Sequence, residues 1–344
     1  MMKKLVYITL SLMLVLDLGA QILPNYGGER AGLSALSFLK NDMSPRSLGL
    51  GGTSLTLEGD AYSVYNNPAA LTDIKENSYA ISHLFLGGGV NQSFLATNFA
   101  LDDKVSTLSF SVNALNSGEM EERTEFQPMG TGRVISVANI AVGLTYARQL
   151  SKLFSSAITV KYIYEGIAGF HNSNATVDVA FLYKTDYKDL KFAAMVQNFG
   201  GNSSLGSDED IPTTFNRNTG IGLEANVVPT IFKLGISMVP YTRGDHSILT
   251  AVQLNHPNDN AENYSAGLEY RFKDIFYTRA GYRLSVRHRH VPTFGIGVKM
   301  RLGNHPLILD YAANPTNFIG LQHSIGLRFQ LLNVSERWKR IWSF

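Results

Sequence analysis

Cysteine is missing from all 344 residues. An exported chain without it has no disulfide frame and no thiolate metal site. Charge is scarce as well: Asp, Glu, Lys and Arg make up 17% of the chain, against about 25% in soluble domains. Neither sign dominates. The formal net charge is +2, and removing residues 1–20, with Lys3, Lys4 and Asp17, leaves +1. A near-neutral chain is not a nucleic-acid binder by bulk electrostatics. Beyond the N-terminus no segment has the run of roughly 18 apolar residues that a membrane helix needs. If the mature chain spans a membrane, it must do so as a closed barrel, because only a barrel pairs every strand edge in lipid.

Catalytic signatures are missing too. There is no Gly-x-Ser-x-Gly elbow and no His-Glu-x-x-His, and Gly49-Leu-Gly-Gly52 lacks the Lys-Ser/Thr ending of a phosphate loop. His323-Ser324 is an adjacent pair in a candidate strand, and strand neighbours point to opposite faces. His288 and His290 sit among Arg287 and Arg289, which repel a cation. His256-Pro-Asn-Asp-Asn260 offers oxygen ligands but has the composition of a turn. The expectation is a non-enzyme with no cofactor, no catalytic residue and no metal site.

What the chain does contain is aromatic and glycine residues: 19 Phe, 16 Tyr and 31 Gly. Membrane barrels place aromatics at both interfaces and keep an apolar outer face. Residues 1–20 read as a signal peptide. Lys3 and Lys4 precede the apolar stretch Leu5–Leu18, and Gly19-Ala20 supplies small residues before the cut. From about residue 77 the chain alternates with period two. Tyr264, Ala266, Leu268, Tyr270 and Phe272 oppose Ser265, Gly267, Glu269 and Arg271. The same pattern recurs at Ile158–Glu165, Val177–Lys184, Ile296–Leu302 and Ile325–Gln330.

Strands are expected at 77–86, 90–100, 104–114, 132–148, 153–164, 174–184, 190–199, 231–239, 245–255, 262–271, 275–284, 292–302, 305–312 and 319–330. Fourteen is an even count, as bacterial single-chain barrels require. Tight turns alternate with mostly longer loops, as external loops alternate with periplasmic turns. The strand-like residues 218–226 are placed in the long 200–230 loop to keep that alternation. The fold class is therefore all-β: a membrane-spanning 14-stranded antiparallel up-and-down barrel in the outer membrane, with its lipids as surroundings. Residues 21–76 read as a plug-like segment and 77–331 as the barrel. Residues 332–344 form a tail in which Trp338, Ile341 and Trp342 suit one face of a short helix.

Inward-facing charges on this register are Lys161, Glu165, Asp178, Lys184, Glu269, Arg271, Arg279, Lys299, Arg301, Asp310 and Arg328. The mixture of signs suits hydrogen-bonded pairs in a filled lumen rather than an ion-selective ring. Two long loops are candidates for partner binding. Asn116–Thr131 carries Glu119, Glu121, Glu122 and Glu125, and Gly200–Thr230 carries Asp208, Glu209 and Asp210.

Phe38-Leu-Lys40, Pro45-Arg-Ser-Leu-Gly-Leu-Gly-Gly52 and Tyr65-Asn-Asn-Pro-Ala-Ala-Leu71 resemble the N-terminal signature of the PorV/PorQ family. Gln253–Asn260, Gly267–Tyr270 and Arg279–Tyr282 are similar to its C-terminal half. The resemblance implies a FadL-like barrel of fourteen strands that works in type IX secretion, as a scaffold or shuttle for secreted cargo and other secretion components. The alternative is a FadL-like channel for a hydrophobic small molecule. The lumen discriminates them: a conduit needs a continuous apolar pocket leading to a gap in the wall, whereas a scaffold tolerates paired charges.

Overall fold

The computed structural model describes residues 34–206, 225–285, 292–316 and 320–332. The expected signal peptide, Asp208, Glu209, Asp210, His288, His290 and the tail from 333 lie outside the described residues. The strands are β1 (Asn77–Gly87), β2 (Val90–Ala100), β3 (Ser106–Glu121), β4 (Val134–Gln149), β5 (Phe154–Ile167), β6 (Phe170–Lys184), β7 (Lys191–Gly200), β8 (Ile231–Arg243), β9 (His246–Pro257), β10 (Asn263–Phe272), β11 (Phe276–Ser285), β12 (Thr293–Leu302), β13 (His305–Thr316) and β14 (Gly320–Leu331). Each pairs antiparallel with its sequence neighbours, and β1 closes on β14 with Ile81 opposite Leu327. The chain is a closed, membrane-spanning 14-stranded barrel, and among the described residues no edge strand is left to pair.

Period-two alternation sets which residues face lipid. Ile81, Leu95, Leu144, Val160, Leu268 and Ile296 point outward, while their neighbours Ser82, Phe94, Thr145, Thr159, Glu269 and Gly295 point inward. Water is no solvent for that outer face; lipid is. Aromatics mark one rim of it, where Phe154 stacks on Phe181 at 5.8 Å between ring centroids. Among the described residues no helix is long and apolar enough to cross a membrane.

One end of the barrel carries tight turns and the other carries the loops. At the turn end Gly244-Asp245 and Gly303-Asn304 make two-residue hairpins, with Gly244 and Gly303 at positive φ, 55° and 63°, the geometry that matches strand twist. The loop end departs from expectation in three places. β5 and β6 run on to Ile167 and from Phe170, so the expected loop Glu165–Ser173 is mostly strand. β13 likewise extends to Thr316. β3 extends to Glu121 after a bulge between Asn116 and Glu119, which leaves a shorter connector before β4.

Residues 34–74 lie inside the barrel. Ser34 bridges Val227 at the loop end, and the chain then descends to Asn77 at the turn end. A short helix, Pro45–Gly49, is capped by Ser44, whose hydroxyl accepts from the Ser47 N–H, with Pro45 at its first position. Asn67 caps a second turn, Pro68–Asp73, by accepting from the Ala69 N–H at 3.0 Å. The Asn-Pro-Ala motif is thus a helix start. Its Nδ2 also donates to the Leu55 carbonyl at 2.6 Å. Met43, Leu48, Leu55, Tyr62 and Leu71 pack against inward residues such as Phe94, Leu182 and Met195.

Candidate functional site

Glycines bring the inner segment onto the wall. A Cβ on Gly281 would lie 2.1 Å from the Gly51 nitrogen, and one on Gly49 would lie 2.9 Å from the Gly295 Cα. No side chain fits in either seam, so backbone lies on backbone. That close approach positions Arg46, on the Pro45–Gly49 helix, against the inward faces of β10 to β14.

The result is a closed ring of three guanidinium groups and three carboxylates. Arg46 donates two bonds to Glu269, at 2.9 and 2.8 Å. Arg279 donates to Glu269 at 2.7 Å and to Asp310 at 2.6 Å. Arg328 donates to Asp310 at 2.8 Å and to Asp60 at 2.9 Å. Asp60 accepts in turn from Arg46 at 3.3 Å. All six are buried. The wall supplies Glu269, Arg279, Asp310 and Arg328, and the inner segment supplies Arg46 and Asp60. Sequence reasoning placed the four wall residues in the lumen but missed the two that close the ring. Arg46 was visible only as part of a motif, and Asp60 carried no signal.

The other inward charges form separate pairs. Lys161 meets Asp178 at 2.5 Å and donates to Asn198 at 2.7 Å. Glu165 is buried and accepts from Asn139 at 3.4 Å. Arg271 also donates to Glu269, at 2.8 Å. Near the turn end Glu58 holds Lys184 and Lys191 at 2.9 and 2.8 Å, and Lys184 also meets Asp73. Burial, and then the Glu58 carboxylate, push the Asp73 carboxyl up to about 6. Lys299 meets Asp274, and Arg301 faces inward at the rim.

Two cavities flank the inner segment. The loop-end cavity holds about 420 Å³ and is lined by Lys40, Asp42, Tyr65, Lys233, Asn255 and Arg283, among others. Lys40 meets Asp259 there at 2.6 Å. The turn-end cavity holds about 630 Å³ and is lined by Arg46, Arg271, Lys299, Arg301 and Arg328, with Tyr277 and Gln330. Both mix polar and charged side chains with apolar ones such as Leu48, Leu84 and Ile231 in the first and Ile308 in the second, and the salt-linked ring lies beside the second. Among the described residues, the two chambers are flanked by the buried, ion-paired ring of Arg46, Glu269, Arg279, Asp310, Arg328 and Asp60.

The predicted loop acids stand apart from this site. Glu119 and Glu121 project from the β3 extension, and Glu121 meets Arg123 at 3.7 Å. Glu122 accepts from the Thr131 hydroxyl at 3.0 Å, and Glu125 is exposed at the connector's tip. Asp259 in the expected turn is held by Lys40 and Ser34. Among the described residues no group of three or more His, Cys, Asp or Glu could hold a metal ion.

No family model matches the chain, and no curated protein matches it in sequence. Solved structures do. The CymD monoaromatic hydrocarbon channel has a TM-score of 0.56 at 11% identity, over 84% of this chain and 97% of that one. The toluene transporter TodX of Pseudomonas putida gives 0.54 at 12%, over 83% and 96%. The toluene transporter TbuX of Ralstonia pickettii gives 0.53 at 10%, over 83% and 96%. At such identity the likeness shows a shared barrel fold, and function has to be argued from the site.

Proposed function

We propose that the chain is a plugged outer-membrane conduit for a small hydrophobic molecule, closed in the state described above. The observation that carries this reading is the barrel it shares along nearly their whole length with a monoaromatic hydrocarbon channel and two toluene transporters. That likeness favours the conduit over the secretion reading. The lumen adds a condition. A hydrocarbon cannot pass the buried Arg46–Glu269 and Asp60–Arg328 links, so transport requires the inner segment to shift. The proposal assigns the chain no catalytic activity, cofactor or nucleic-acid partner.

The second reading is a PorV/PorQ-type scaffold in type IX secretion, bound to secreted cargo or other secretion components. Two observations favour it: the lumen is filled by paired charges, and acidic residues project at the loop end. The motifs that resemble that family also do structural work here, since Pro45-Arg46 and Asn67-Pro68-Ala69 build the inner segment.

One experiment separates the two. Uptake of a labelled monoaromatic hydrocarbon is measured in cells with and without the barrel, because a plain phospholipid bilayer already passes such solutes. The conduit predicts faster uptake with the barrel, and faster still with Arg46→Gln and Asp60→Asn combined. Equal uptake in all three strains sinks the conduit. Secreted proteins that co-purify with the barrel from detergent, and lose surface delivery when Thr124–Gly130 is deleted, would then establish the scaffold.

A further inference from the structure

The turn-end cavity has a charge arrangement that neither reading uses. Its lining holds six cations, Arg46, Arg271, Arg279, Lys299, Arg301 and Arg328, against two carboxylates, Glu58 and Asp274. Most of these are matched. The ring balances Arg46, Arg279 and Arg328 with Asp60, Glu269 and Asp310, and Lys299 is matched by Asp274. Arg271 is an extra cation on Glu269. Arg301 forms no ion pair among the described residues. Against these two, Glu58, Asp73 and Asp189 outnumber Lys184 and Lys191 by one. One net positive charge remains, and it faces the cavity.

A second observation is independent of that count. The Nη2 of Arg279 is buried and has no hydrogen-bond partner among the described residues, although Nε and Nη1 each have one. Arg279 itself is 3% exposed. A buried donor without an acceptor costs free energy and calls for an explanation. The Tyr277 ring lies 5.5 Å from the guanidinium carbon, and a π-face does not satisfy in-plane N–H groups. Nη2 sits beside Gly297, where a Cβ would be 3.1 Å away, so no side chain at that position covers it. The Arg279 side chain is closed to solvent, so the cations open to the cavity are Arg271, Lys299 and Arg301.

We propose that the turn-end cavity binds one carboxylate or phosphate group of a small organic solute. Arg301 supplies charge at the rim, Arg271 supplies charge deeper in, and Lys299 lies beside Arg301 on the same face of β12. A volume of about 630 Å³ falls inside the usual range for small-molecule pockets, roughly 300–1,000 Å³, so it admits the body of such a solute as well as its anionic group. This site stands whether the barrel is a conduit or a scaffold.

The test uses the whole purified barrel in an uncharged detergent, titrated calorimetrically with inorganic phosphate and, separately, with hexanoate. Saturable binding of at least one of them, at one per barrel and weakened by salt, is the expected result, and the arm that responds names the class. Arg301→Gln removes an exposed rim charge that holds nothing else, and it should weaken binding at least tenfold. Lys152→Gln, an exposed cation on the turn between β4 and β5 and outside the cavity lining, should leave it unchanged. No saturable binding of either anion, or equal affinity in the Arg301→Gln and wild-type barrels, overturns the proposal.

Discussion

Arg46 shows how one side chain can decide what a lumen is. It leaves a five-residue helix and spans the gap to Glu269, 223 residues away, with two bonds. Burying the ring is costly, because three guanidinium groups and three carboxylates give up water, and mutual pairing repays that cost only when every partner is present. Removing one member is therefore worse than never having built the ring. Arg46→Gln should lower stability by about 3–5 kcal/mol, the usual cost of breaking a buried pair. Glu119→Gln, an exposed acid with no ion pair among the described residues, should change it by less than about 0.5 kcal/mol. Urea unfolding in lipid vesicles measures both. A loss below about 1 kcal/mol for Arg46→Gln would mean that water already reaches the ring and that the inner segment is held by packing alone.

At the scale of elements, the strands follow from alternation and the inner segment does not. A one-residue slip would turn every apolar side chain from lipid into the lumen, so the register is strongly specified. Ile81 is 54% exposed on the outer face near the middle of β1, while Gln330 faces inward at the turn end. Ile81→Arg should cost about 2–4 kcal/mol in vesicles, as arginine does at a bilayer midplane, and Gln330→Arg much less. Equal costs would place the lipid face elsewhere. The count of fourteen strands and the inward face of each charged strand were legible because lipid on one side and polar contacts on the other impose a sharp period of two. The loop-end extensions were less so. Asn116 and His171-Asn-Ser-Asn174 pair as strand, with Ser117-Gly118 forming the bulge, yet being polar on both faces these stretches carry no alternation. The inner segment was hidden for a different reason. Its path is set by wall glycines such as Gly281 and Gly295, and its ring partners are supplied from β10 to β14; neither leaves a periodic trace within residues 34–74.

For the whole molecule, the even strand count puts both barrel termini, Asn77 and Leu331, at the same end, where they pair with each other. That is also the end of the tight turns, such as Gly244-Asp245 and Gly303-Asn304. Short turns belong on the periplasmic side of an outer-membrane barrel and longer connections outside, so the connector between β3 and β4 should face the surroundings of the cell. The inner segment runs the other way. Ser34 already lies at the loop end beside Val227, so the segment reaches the outer mouth rather than staying at the inner one. The turn-end cavity with its net positive charge then faces the periplasm, and the acids Glu119, Glu121 and Glu125 face out. An epitope tag placed between Gln127 and Pro128, beside Phe126 at 94% exposure, should bind antibody on intact cells. A tag between Asp186 and Tyr187 should bind only after the envelope is opened. The opposite pattern would invert the barrel, put the anion-binding cavity outside, and require both readings of its function to be rebuilt around that face.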